Sequence, residues 1–139
     1  MRPLLAVALL LVLAGCGGNG STPTAQPAAP RPAAKKIHVQ LTGQSHHPLV
    51  GKRWHYEVRV TNAAGKPVPA NVHLQFLYSG LPVGQVGRHH VANGVWSETF
   101  GTPGNPAFPA QARRQRLVLQ AVVTAQGETQ KAGWWIVVR

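Results

Sequence analysis

Three kinds of side chain in this sequence could carry chemistry: one thiol, three carboxylates and seven imidazoles. The thiol is Cys16, inside the stretch "LLVLAGCGG", residues 10–18. The carboxylates are Glu57, Glu98 and Glu128, and the chain has no aspartate. Hydrolysis by a carboxylate pair needs two acids flanking a bond. A metal hydrolase needs a carboxylate or an ordered set of histidines beside its ion. The serines, Ser21, Ser45, Ser79 and Ser97, include none within a Gly-x-Ser-x-Gly elbow. The residues therefore read as a protein that is not an enzyme, with no catalytic residue and no cofactor.

The histidines raise a different chemistry, because neutral imidazole binds copper and zinc. His46-His47 precedes Pro48 in an expected loop, and His89-His90 follows Arg88. His38, His55 and His73 fall at outward positions of three expected strands. No His-x-His pair occurs, and adjacent histidines on a strand point to opposite faces. His38, His55 and His73 are the weak candidates for a shared ion. They need neighbouring strands in matching register, where outward residues lie ~5 Å apart. Dispersed surface histidines and no metal are expected. A histidine-based periplasmic copper or zinc binding protein is the alternative function.

Charge is the other unusual feature. Fourteen Lys and Arg stand against three acids, a formal net charge of +11. Such an excess concentrates anions and draws the chain to anionic surfaces. The densest cluster is Arg113-Arg114-Gln115-Arg116, after the proline-broken stretch "GTPGNPAFPAQ", residues 101–111. Within that stretch Phe108 is an apolar group on what reads as a surface loop. Trp134 and Trp135 are neighbours on an expected strand, so one faces the core and the other faces water at least in part. Arg113, Arg114, Arg116, Phe108 and Trp135 are thus the candidates for binding an anion or partner. The competing reading is a solvated charge run beside a mobile connection. No nucleic-acid recognition motif appears, and nucleic acid is not the expected partner.

These residues must be placed by the rest of the chain. Met1-Arg2 opens it with a positive charge, and Leu4 to Leu13 is an almost unbroken run of Leu, Val and Ala. The run suits the apolar core of a secretory signal and is too short to span a bilayer. Leu13-Ala14-Gly15-Cys16 sets small residues immediately before the cysteine. This resembles the lipobox of bacterial lipoproteins. The resemblance implies cleavage before Cys16, a signal peptide over 1–15, and lipidation of Cys16. It also implies an extracytoplasmic protein held to the cell membrane by its acyl chains. An ordinary signal peptide that leaves a free thiol is the alternative. The segment 16–34, rich in Pro and Ala, offers almost nothing to bury and reads as a disordered linker.

From about residue 35 to 139 the hydropathy alternates with period two. Ile37, Val39 and Leu41 alternate with His38 and Gln40. Trp54, Tyr56, Val58 and Val60 repeat the pattern, as do Val72, Leu74, Phe76 and Tyr78. Leu117, Leu119, Ala121 and Val123 follow, then Trp134, Ile136 and Val138. Each run reads as a half-buried strand. Trp54 and Trp96 are expected to face inward. Asn93-Gly94 reads as a hairpin pair, and Gln126-Gly127 as the turn of the last hairpin. The expectation is an all-β domain, an antiparallel β-sandwich of about seven strands. The passage "YEVRVTNAAGKPVPANVHLQF" resembles the strand–turn–strand passage of bacterial extracellular immunoglobulin-like domains. That resemblance implies an immunoglobulin-like sandwich at 35–139, without the paired inter-sheet cysteines.

The expected function is that of a non-catalytic binding or spacer module at the cell envelope. Its partners are the membrane, through the N-terminal lipid anchor, and anionic envelope polymers, lipids or another envelope protein.

Overall fold

The computed structural model describes residues 36–139. The expectations placed on cleavage before Cys16, its lipidation and a linker over 16–34 lie outside the described residues. The described residues fall within one compact unit.

Seven strands form two antiparallel sheets. They are β1 (Ile37–Gly43), β2 (Trp54–Asn62), β3 (Ala70–Tyr78), β4 (Leu81–Val91), β5 (Val95–Phe100), β6 (Arg116–Ala125) and β7 (Glu128–Val137). One sheet has the order β1-β2-β5, the other β4-β3-β6-β7. The alternation in sequence becomes two inner faces. Trp54, Tyr56, Val58 and Val60 from β2 meet Val72, Leu74, Leu119 and Ile136 from the other sheet, all almost fully buried. Burial of side chains this size contributes about 1.5–3 kcal/mol each. Trp96 lies on the inner face as well, opposite Val58 on β2.

Turns set the connections. Gln126 and Gly127 both have positive φ, 51° and 73°, and join β6 to β7 as a two-residue hairpin. Ser79 and Gly80, with φ of 49° and 82°, do the same between β3 and β4. The strand that follows this second turn, β4, is eleven residues long. The reading of Asn93-Gly94 as a hairpin is corrected. β4 and β5 belong to different sheets, and β5 pairs with β2. Gly94 is the crossover between the sheets. A Cβ there would lie 2.9 Å from the Val68 amide, and the Gly94 carbonyl accepts the Val60 amide at 2.7 Å. A sequence pair that favours hairpins here has positive φ at Gly94 alone, 68°, and lets the chain change sheets.

The β7 edge is covered. The chain between β1 and β2 runs beside β7: the Val137 amide donates to the His46 carbonyl and the Arg139 amide to the Pro48 carbonyl, both at 2.8 Å. These bonds use groups on an edge strand that would otherwise invite pairing. Gly43, at the end of β1, has no room for a side chain. A Cβ there would overlap Trp54 and lie 2.6 Å from the Trp134 indole nitrogen.

The stretch 101–112 departs from the expected unstructured loop. Thr102 bridges Asn105, and Ala110–Ala112 forms one turn of 3-10 helix. Phe108 is the anchor. It is 6% exposed, with its ring 5.5 Å from Phe100, 5.7 Å from Phe76 and 5.8 Å from Trp54. Phe108 is therefore a core residue and is withdrawn as a binding candidate. The loop folds back across the mouth between the sheets, and an apolar ring among polar and proline residues gains most by closing that mouth.

Candidate functional site

Arg113, Arg114 and Arg116 come together at one end of the four-stranded sheet. Arg113 follows the 3-10 turn, and its amide donates to the Ala110 carbonyl. Arg114 is held in the left-handed region, φ 65°, by a 2.7 Å bond from its amide to the Val138 carbonyl. Arginine rarely adopts this conformation, and such strain persists only where the surroundings enforce it. Arg116 opens β6 opposite Val137. The backbone of this run is thus tied down while its side chains stay exposed.

Facing it is the β3–β4 hairpin. The arginines on one side, and Tyr78, Ser79 and Gly80 on the other, line a groove of about 580 Å³. The alternation had put Tyr78 on the core face. The pairing irregularities after Leu74 and after Phe76 place their extra residues, Val86 and Val83, on β4; Tyr78 ends β3 one residue past its last β6 partner position, Leu77, and is 47% exposed.

Trp135 adjoins the groove. The Arg116 guanidinium carbon lies 5.5 Å from its ring centroid, a cation–π contact. Trp135 is 40% exposed. Its neighbour Trp134 is half-buried on the inner side, as the alternation requires. Both indoles nevertheless meet one residue. The His46 ring stacks on Trp134 at 4.1 Å and on Trp135 at 3.9 Å, and His46 Nδ1 donates to the Trp135 carbonyl at 2.6 Å. The Ser45 carbonyl accepts the Trp54 indole at 3.0 Å. The loop before β2 thereby fixes the ring of Trp135 beside the arginines. Four of the five candidates meet here: Arg113, Arg114, Arg116 and Trp135. Tyr78 and His46 are the residues sequence reasoning missed. His46-His47 was visible as a pair, but its stacking partners lie some ninety positions away.

The three carboxylates lie elsewhere. Glu57 accepts from Arg59 at 3.0 Å on the three-stranded sheet. Glu98 faces inward on β5 and accepts the Tyr56 hydroxyl at 2.5 Å. Burial first, and then this carboxylate, hold the Tyr56 phenol well above its usual range. Glu128 starts β7 opposite Ala125 and accepts the Lys36 amide at 2.8 Å. Nine residues of β7 separate it from Val137, the partner of Arg116, or about 30 Å.

The three weak metal candidates do not come together. His38 sits opposite Thr61 and His55 opposite Thr99, so six residues of β2 separate their rows, about 20 Å. His73 is on the other sheet, hydrogen-bonded to Gln85 at 2.6 Å. No three His, Cys, Asp or Glu side chains converge among the described residues.

No protein-family model matches the chain, and comparison with curated proteins finds no match. Solved structures do share its architecture. A DUF4785 family protein from Legionella pneumophila aligns over 75% of this chain and 29% of its own, with 11% identity and a TM-score of 0.51. The CARDB domain of a Pyrococcus furiosus protein, solved in complex with di-metal ions, aligns over 73% of this chain and 91% of its own, with 18% identity and a TM-score of 0.49. The PmoD soluble domain from Methylocystis aligns over 74% and 90%, with 15% identity and a TM-score of 0.43. The chain has an immunoglobulin-like β-sandwich. At these identities the likeness is one of fold alone, and folds of this kind serve unrelated functions.

Proposed function

We propose that this protein is a lipid-anchored, extracytoplasmic, non-catalytic binding module. Its ligand is an anionic group of the envelope, met by Arg113, Arg114 and Arg116 with Trp135 beside them. The observation that supports this reading most is the meeting of three guanidiniums and an exposed indole around one groove, with Glu57, Glu98 and Glu128 all placed elsewhere. Arginine suits the role because its planar fork grips carboxylate or phosphate by two parallel bonds. The backbone bonds of residues 113–116 supply the preorganisation that a solvated charge run lacks. The lipobox-like segment supplies the address, since two or more acyl chains on Cys16 hold a protein stably at a membrane.

Retention on an immobilised polyanion tests the binding half. The full chain in neutral detergent, with Arg113, Arg114 and Arg116 replaced by Gln, is expected to bind roughly tenfold more weakly near 0.1 M salt. A variant with Lys36, Lys52 and Lys66 replaced by Gln has the same net charge and is expected to lose about twofold or less. Equal losses in the two variants would mean that net charge alone matters. No retention of the wild type at low salt would leave a spacer role.

A further inference from the structure

The outer face of the four-stranded sheet continues from the arginine groove. Its composition follows from the register. Past Arg116 comes a row with Leu77, Val118 and Trp135, then one with Gln85, Gln75, Gln120 and Gly133. Next comes Arg88, His73, Val122 and Lys131, and last His90, Asn71, Thr124 and Thr129. Side chains on one strand face alternate sides. Glu128 therefore points to the inner side of β7, and the other two carboxylates belong to the other sheet. The outer face of the four strands carries no carboxylate.

Cations stand at two levels, or stations, of this face: the arginine groove with Arg116 at one end and, farther along, Arg88 and Lys131 on the two edge strands, three strand spacings or about 14 Å apart. Six residues of β6, Arg116 to Val122, separate them, about 20 Å. The ground between is neutral and rich in hydrogen-bonding groups. Gln75 donates to Gln120 at 2.9 Å, and Gln85 pairs with His73 at 2.6 Å. These amides keep spare donors and acceptors toward solvent. A shallow hollow lies over the far station, beside His73, Arg88 and His90.

We infer that this face binds a linear acidic glycan whose chain runs along the strands from the arginine groove to Arg88 and Lys131. The inference rests on the proposed anion-binding role of the groove and names its ligand class. Sparse cations separated by amides match a polymer whose carboxylates are separated by hydroxyl-bearing rings. Trp135, stacked on His46 and approached by Arg116, is still 40% exposed and offers an apolar indole edge for a sugar ring to pack against. A lipid surface would meet the face with headgroups alone and leave the amide row without use. Linking several weak contacts along one chain raises affinity without any strong single site.

Galacturonate oligomers test this, titrated against the full chain in neutral detergent at about 0.1 M salt. An oligomer long enough to reach both stations is expected to bind at least tenfold more tightly than the dimer. Arg88→Gln with Lys131→Gln, both exposed positions, is expected to weaken the long oligomer five- to tenfold and to leave the dimer unchanged. Replacing Arg113, Arg114 and Arg116 with Gln is expected to weaken both. If dimer and long oligomer bind alike and the Arg88/Lys131 variant is silent, the extended face is wrong and the groove stands alone. If the groove variant is silent while the Arg88/Lys131 variant loses binding, the groove reading fails instead. Poly(glycerol phosphate) binding as tightly as the long oligomer would reduce the face to charge alone. Displacement of the oligomer by phosphatidylglycerol doped into the micelles, at matched charge, would assign the face to lipid and overturn the glycan.

Discussion

Replacing Phe108 with alanine is expected to lower stability by about 3–5 kcal/mol, the range for deleting a buried aromatic side chain. In a domain this size that is a fall in melting temperature on the order of 15 °C or more. The sequence suggests the opposite, because Phe108 sits in a stretch of Gly, Pro and Asn, and a solvent-facing residue there would cost within about 0.5 kcal/mol. The structure decides between the two. The ring is 6% exposed and lies within 6 Å of the rings of Trp54, Phe76 and Phe100. Its removal opens a cavity at the mouth of the sandwich. It also frees the stretch that leads into Arg113, so the groove should loosen along with the core. Thermal unfolding of Phe108→Ala and Phe108→Leu checks this. The leucine variant is expected to recover more than half of the loss. An alanine variant within 2 °C of the wild type would show that the loop does not close the core.

Replacing Cys16 with serine is expected to abolish incorporation of labelled fatty acid and, in the cleaved form, to release the protein from the membrane fraction. The thiol is the attachment point that the lipobox-like Leu13-Ala14-Gly15-Cys16 implies. Each acyl methylene that enters the bilayer contributes about 0.8 kcal/mol, so loss of the chains removes the entire anchor. The chain has no other cysteine to substitute for it. No helix among the described residues is long and apolar enough to cross a membrane. Wild-type protein that takes up no fatty acid would contradict the anchor, whatever the folded domain binds.

Strands were legible in the sequence wherever alternation was clean. Trp54 to Val60, and Leu117 to Val123, became inner-face strands because period two leaves a chain no other way to bury one side. The turn Gln126-Gly127 was legible for a local reason, positive φ at both residues. Asn93-Gly94 looks the same in sequence but takes positive φ at Gly94 alone, and its outcome differs. Whether such a pair closes a hairpin or crosses between sheets depends on the strand that waits to pair, here β2. Tyr78 keeps the phase of β3 and escapes burial because it ends the strand, past Leu77, the last residue of β3 paired with β6, and alternation does not report where a strand outruns its neighbour. The arginine run was visible as composition. Its partner Trp135 was visible only as a candidate. The His46 ring that stacks on both tryptophans comes from a loop 89 positions away from Trp135, and pairings at that distance leave no mark in one sequence. Phe108 was misplaced for a related reason: loop composition reports polarity, and burial depends on where the loop folds.

Amide shift mapping of the isotope-labelled full chain in neutral detergent, titrated with a galacturonate oligomer, tests the central claim most directly. The account predicts that the largest shifts fall on residues 78–80, 113–116 and 135, with the Trp135 indole proton among them. Residues 62–67 at the far turn of the other sheet should stay still. Shifts spread evenly over every exposed Lys and Arg, or confined to the three-stranded sheet, would contradict a binding site at the arginine groove.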